Sequence, residues 1–114
     1  MIVLTLDNFE KEILDSAKPC VVAFKSEGCH LCVGLTRILF RVERRYEEKF
    51  KFAVIDSTLE QEIFKMFGVF GVPTVFLFIN GDGIEIPYPD DPCPFSGYSE
   101  EYLRERLEAE LKNE

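Results

Sequence analysis

The sequence predicts an α/β fold: one central mixed sheet of about five strands with helices on both faces. Three observations carry this reading. In the first half of the chain, apolar β-branched runs alternate with segments of helical period, which calls for parallel strands joined by crossover helices. Further on, Asn80-Gly81 separates two strand-like runs and adds an antiparallel hairpin at an edge. Finally, 114 residues that are 46% hydrophobic, with 11 Phe, suffice for one core and not for two, so residues 1–114 are expected to form a single domain.

Each element has its own signal. Residues 2–6 are apolar and β-branched, a short first strand. Asp7 and Glu10 have capping-box spacing ahead of Phe9, Ile13 and Leu14, so a helix is expected to run to about residue 17, before Pro19. Cys20-Val21-Val22-Ala23-Phe24 is a nearly continuous apolar run, as in a strand buried on both faces. The longest helix is expected from about residue 29 to about residue 49, with Leu31, Leu35, Ile38, Leu39, Val42 and Tyr46 forming one core-facing stripe. Phe52-Ala53-Val54-Ile55 is the next strand, closed by Asp56. A short helix over 59–67 turns Ile63, Phe64 and Phe67 inward and stops at Gly68. Residues 74–79 and 84–86 form the hairpin strands. Pro87, Pro89, Pro92 and Pro94 make residues 87–97 a loop, after which Ser99 caps a last helix with Glu100 and Glu101 in its first turn.

Composition removes several function classes. Thirteen basic against 21 acidic residues give a net charge of −8, which repels a phosphate backbone. The one dense basic cluster, Arg37, Arg41, Arg44 and Arg45, is interleaved with Glu43, Glu47 and Glu48 and reads as a solvated helix face. No nucleic-acid partner is expected. No apolar stretch reaches the length of a membrane span, and the start of the sequence has no signal-peptide pattern. The expected location is cytoplasmic, or extracytoplasmic if a leader has been removed. Four cysteines are too few and too unevenly placed for a secreted disulfide scaffold.

The chemistry lies in Cys29-His30-Leu31-Cys32. Thiols at i and i+3 at the start of a helix share one side of its first turn, within reach of a disulfide. Unpaired N–H groups there favour negative charge and lower the pKa of the first cysteine. Cys29 is therefore the expected nucleophile and Cys32, a turn deeper, the resolving thiol. The second element is Gly71-Val72-Pro73-Thr74, where a proline opens a strand at no cost to the ladder, in a bend where cis X–Pro bonds occur.

A strand, a CxxC opening a helix, an Asp-ended strand, and Gly-Val-Pro-Thr before a hairpin together resemble the thioredoxin superfamily, over nearly the whole chain. The resemblance implies a thioredoxin-like fold, a cis Pro73 packed beside Cys29 and Cys32, and substrate-binding positions at Gly28 and at Val72, whose backbone pairs with the substrate peptide. The chain also departs from the family pattern. The CxxC interior is His-Leu, not Gly-Pro, and Gly28 stands where a Trp usually precedes the first cysteine. Ala23 replaces the family's buried Asp, Phe52 replaces its companion Lys, and Arg37 replaces a helix-kinking Pro. The Asp–Lys proton route for the resolving thiol is therefore absent.

Other residues admit both a functional and a plainer role. His30, the one histidine, is either an idle surface residue or a positive partner that stabilises the Cys29 thiolate and raises the potential above about −270 mV. Lys25 is either simply solvated or a substitute proton relay, with Asp56 as its partner; Glu27 is a weaker candidate for the same task. Cys20 reads as an inert core thiol and Cys93 as a free surface thiol, with a second redox site or a bond to Cys20 as alternatives. The loop 87–97 is either a tolerated insertion or a specificity element.

The sequence therefore predicts a monomeric thiol–disulfide oxidoreductase that acts on a protein disulfide or dithiol and is served by a reductase or small thiol, with no cofactor, metal or membrane. The alternatives are a non-catalytic redox-sensing adaptor of the same fold, and a metal or iron–sulfur carrier.

Overall fold

The computed structural model describes residues 1–113. A five-stranded sheet, ordered β1-β3-β2-β4-β5, is formed by β1 (Ile2–Val3), β2 (Cys20–Lys25), β3 (Lys51–Asp56), β4 (Thr74–Ile79) and β5 (Asp82–Ile86). The first three strands are parallel; β4 and β5 run antiparallel to their neighbours. The α/β mixed sheet expected from the sequence is thus present. Helix α1 (Leu6–Phe9) continues into a π-helical turn, Glu10–Leu14, and is followed by α2 (His30–Tyr46), α3 (Gln61–Met66) and α4 (Glu100–Lys112). No helix among the described residues is long and apolar enough to cross a membrane.

Strand β2 is central, which is why its residues up to Phe24 are all buried. Alternation sorts the sheet's side chains onto two cores. Val21, Ala23, Phe52, Val54, Val75 and Leu77 meet Leu35, Ile38, Leu39 and Val42 of α2 and Leu103 and Leu107 of α4. On the opposite face, Val22, Phe24, Ile55, Phe76 and Phe78 meet Phe9 and Ile13 of the first helix and Ile63 and Phe64 of α3. Aromatic rings dominate that face: Phe24 lies 5.0 Å from Phe64 and 5.1 Å from Phe76 between ring centroids. The hairpin turns at Asn80 and Gly81, with φ of 52° and 86°, the double positive φ of a type I′ turn.

Several boundaries differ from expectation. The first strand ends at Val3 because Thr5, not Asp7, is the N-cap of α1, and Asn8 Oδ1 accepts the Thr5 N–H at 2.8 Å. Asn8 thus holds the place assigned to Glu10, and the helix ends at Leu14, not near 17, in a wide turn closed by Asp15 N–H donating to the Glu10 carbonyl. Helix α2 stops at Tyr46 because the chain must reach Lys51 to open β3, and Phe50, already buried, takes up the connection. The helix expected over 59–67 is confined to Gln61–Met66 because Asp56 Oδ1 accepts the Thr58 N–H at 2.8 Å and holds a turn there.

Residues 87–98 contain no strand or helix, yet they are tightly fastened. Gly97 N–H donates to the Cys93 carbonyl at 2.8 Å, closing a small loop. The buried Tyr98 hydroxyl donates to the Ile86 carbonyl at 2.8 Å and accepts the Val75 N–H at 3.1 Å. The Tyr88 hydroxyl donates to the Pro73 carbonyl, and the Tyr102 hydroxyl to that of Pro87 at 2.6 Å. This segment is a strap laid along β4, where β5 has run out.

Candidate active site

The site is built at the carboxyl end of β2. The strand delivers Lys25, and three residues, Ser26-Glu27-Gly28, carry the chain to Cys29, with Gly28 at φ 74°. That left-handed conformation favours glycine, which accounts for Gly28 without assigning it to substrate. Cys29 is the N-cap of α2, and its Sγ accepts the Cys32 N–H at 3.1 Å. Cys29 and Cys32 form a disulfide, with their Cα atoms 5.2 Å apart. Cys32 is 3% exposed, while Cys29 is half-buried. An N–H of the first helical turn aimed at a sulfur favours negative charge on it when the bond is reduced.

On one flank of α2 the pair borders a cleft of about 400 Å³ lined by Lys25, Glu27, His30, Val33 and Thr36. Lys25 therefore sits beside the cysteines. Asp56 is its register partner across β2 and β3, but the carboxylate is engaged with the Thr58 N–H, and no ion pair joins the two. The expected Lys25–Asp56 pair is not formed, because the turn after β3 claims the acid first. His30 is exposed at the cleft's edge. On β2, Ala23 is 3% exposed and shares its core cluster with Phe52. Where the family pattern has an acid and a lysine, this chain has two apolar residues packed in one core, so neither position carries a proton.

Val72 and Pro73 lead into β4, the antiparallel neighbour of β2. The Val72–Pro73 peptide is cis, Pro73 is buried, and Phe24 opposite Thr74 ends the β2–β4 ladder beside it. At about 100° per residue of helix, Gly34 and Thr36 stand about 200° apart on α2, so cleft and strap take opposite flanks. A Cβ at Gly34 would overlap the Phe95 carbonyl oxygen, and one at Gly97 would lie 3.7 Å from Pro73 Cγ. The strap thus touches both the helix that carries the cysteines and the proline facing the end of β2.

The sequence reading missed Gly34, Tyr88 and Tyr98. Gly34 had a signal, since a glycine inside a strongly amphipathic helix marks a close backbone approach. The two tyrosines had none that local pattern could supply. Cys20 is fully buried, its thiol 3.3 Å from the Lys18 carbonyl, and burial raises its pKa. Cys93 is also free, so the two do not form a bond. Its pKa is lowered by the Ser96 hydroxyl, which otherwise donates to the Tyr98 carbonyl, and by the Phe95 N–H. No cluster of three or more His, Cys, Asp or Glu stands ready for a metal among the described residues.

A strand-to-helix turn that carries a disulfide-forming CxxC, under a five-stranded mixed sheet, defines the class of thioredoxin-fold dithiol proteins. The thioredoxin family model matches residues 1–89. The chain is 35% identical to a thioredoxin of Rickettsia bellii over 79 residues, covering 69% of this chain and 75% of that protein. It is 32% identical to a thioredoxin of Acetoanaerobium sticklandii over 85 residues, covering 75% and 81%. It is also 32% identical over 77 residues to the chloroplastic thioredoxin-like protein HCF164 of Arabidopsis thaliana, covering 66% of this chain and 29% of that one. The chain belongs to the thioredoxin family, and it is a thiol–disulfide oxidoreductase.

Proposed function

We propose that Cys29 is the attacking thiol and Cys32 the resolving one in the reduction of a protein disulfide. The observation that carries this assignment is the asymmetry of the pair: Cys29 caps α2 and receives the Cys32 N–H, whereas Cys32 is buried. The Cys29 thiolate attacks one sulfur of the substrate disulfide and expels the other as a thiolate. Cys32, deprotonated, then attacks Cys29 Sγ, releases the substrate as a dithiol and leaves the Cys29–Cys32 disulfide. A reductase or small thiol returns the pair to its reduced form. Lys25, in the cleft beside both sulfurs, partly substitutes for the missing proton relay: its ammonium stabilises the Cys32 thiolate while the proton passes to water, and Asp56 takes no part. His30, beside Cys29 at the edge of the cleft, tunes the redox couple. The substrate's extended backbone pairs with Val72 beside the cis Pro73, across from Gly28. The whole chain, 1–114, acts as one thioredoxin-like domain, monomeric and cytoplasmic.

Insulin reduction driven by dithiothreitol tests the assignment. The wild type accelerates precipitation of the B chain, Cys29→Ser falls to the uncatalysed rate, and Cys32→Ser accumulates a mixed disulfide visible by mass. An inactive wild type, or a mixed disulfide held on Cys32 instead of Cys29, refutes it.

A further inference from the structure

The strap over residues 87–98 runs past the end of the family match at residue 89, and it is fastened to both halves of the redox site. On the strand half, Tyr88 donates to the Pro73 carbonyl and Tyr98 accepts the Val75 N–H. On the helix half, the Phe95 carbonyl rests where any side chain at Gly34 would stand, two residues beyond Cys32. Pro92 and Pro94 fix two of the intervening φ angles. On this anchored backbone the Phe95 side chain is 78% exposed. An aromatic ring held open to water on an immobilised backbone is ready to bind at little further entropic cost.

We propose that Phe95 is a specificity-determining residue that receives a large apolar side chain of the substrate polypeptide, next to the disulfide being reduced. The inference rests on the reading in which substrate docks along Val72 and Pro73. A Cβ at Gly97 would lie 3.7 Å from Pro73 Cγ, and Phe95 is two residues before Gly97, so at most about 7 Å of backbone separates these two strap residues. One or two residues of an extended substrate span a similar length, so a chain docked along Val72 and Pro73 carries a residue near its cystine towards the ring. A small disulfide, with no flanking residues, does not extend to the ring. The occupant is therefore an extended polypeptide segment with an apolar residue beside its cystine.

Three substrates test this with dithiothreitol as reductant: hydroxyethyl disulfide and two cystine-bridged peptides of equal length and charge, one with Leu and one with Ser beside each cysteine. The wild type is expected to favour the Leu peptide about tenfold in kcat/KM, the discrimination one apolar pocket supplies. Phe95→Ala brings that ratio to within about twofold of unity, and Phe95→Leu restores most of it. Gly34→Ala, which shifts the strap without altering the ring, also lowers the ratio. A flat ratio in the wild type, or a Phe95→Ala enzyme that keeps the preference, overturns the proposal. Turnover of hydroxyethyl disulfide by the wild type tests the dithiol chemistry separately: its absence removes the redox reading, while its presence with a flat ratio removes only the role of Phe95.

Discussion

On one flank of α2 the disulfide borders an open cleft with Lys25 and His30; on the other a strap closes over Pro73 and Gly34. The cleft belongs to the part of the chain matched by the family model, and in the core between sheet and α2 Ala23 and Phe52 stand where an acid and a lysine are usual. The strap flank goes beyond the match and adds hydrogen bonds and an exposed ring. The difference teaches that the two sides of one helix terminus are built separately, one from residues within the family match and the other from a segment that runs past it.

The comparison can be broken first at Ala23. Ala23→Asp restores the family's acid but places it in a core whose second family partner is Phe52, so the carboxylate has no cation. A loss of about 3–5 kcal/mol is expected, as for an uncompensated buried charge. Burial raises the folded pKa of such an acid, so the folded state holds the proton longer than the unfolded one. Stability then falls as pH rises through the carboxylate range, and urea unfolding is expected to show a smaller penalty at pH 4 than at pH 8. An equal penalty at both pH values contradicts a buried, unpaired acid.

On the strap side, Tyr98→Phe leaves the Val75 N–H and the Ile86 carbonyl without their partner in a buried setting. The expected cost is about 1–3 kcal/mol in the same unfolding measurement, with Cys29 chemistry retained on small disulfides. A change below about 0.5 kcal/mol contradicts anchoring of the strap through Tyr98.

Lys25→Met sharpens the cleft side. Loss of the positive charge that favours the Cys32 thiolate is expected to slow release of the mixed disulfide about tenfold, equivalent to about 1.4 kcal/mol in the barrier. Rapid-quench kinetics reads this step directly, and an unchanged rate leaves Lys25 as a solvated surface residue.

The smallest effect concerns the free thiols. In the oxidised protein, hydrogen bonds from Ser96 and Phe95 lower the pKa of Cys93, whereas burial raises that of Cys20. Iodoacetamide at neutral pH is expected to label Cys93 alone, with labelling retained towards lower pH, and Cys20 only after unfolding. Equal labelling of both in the folded state contradicts the burial of Cys20.

Much of the site was legible because it is local. A CxxC after a buried strand needs only neighbours in sequence to place both sulfurs on the first turn of a helix, and the hairpin needs only Asn80-Gly81. The N-terminal cap was misread because Thr5/Asn8 and Asp7/Glu10 offer overlapping boxes two residues apart. Burial of Leu4 and its N–H bond to the Val54 carbonyl bring the chain to its turn at Thr5. Asp56 is an expected partner of Lys25 because it ends the neighbouring strand; the register does set the two opposite each other, but the carboxylate accepts the nearer Thr58 N–H.

By itself, then, the sequence determined the sheet, the hairpin and the dithiol turn, since period, capping and turn chemistry act over a few residues. Only the tertiary structure decided that residues 87–98 are a strap at the redox site. Prolines there forbid regular structure, but the partners of Tyr88, Tyr98 and Phe95 lie at Pro73, Val75, Ile86 and Gly34. Such pairings are set by how strands and helix pack together, and no local pattern along the chain encodes them.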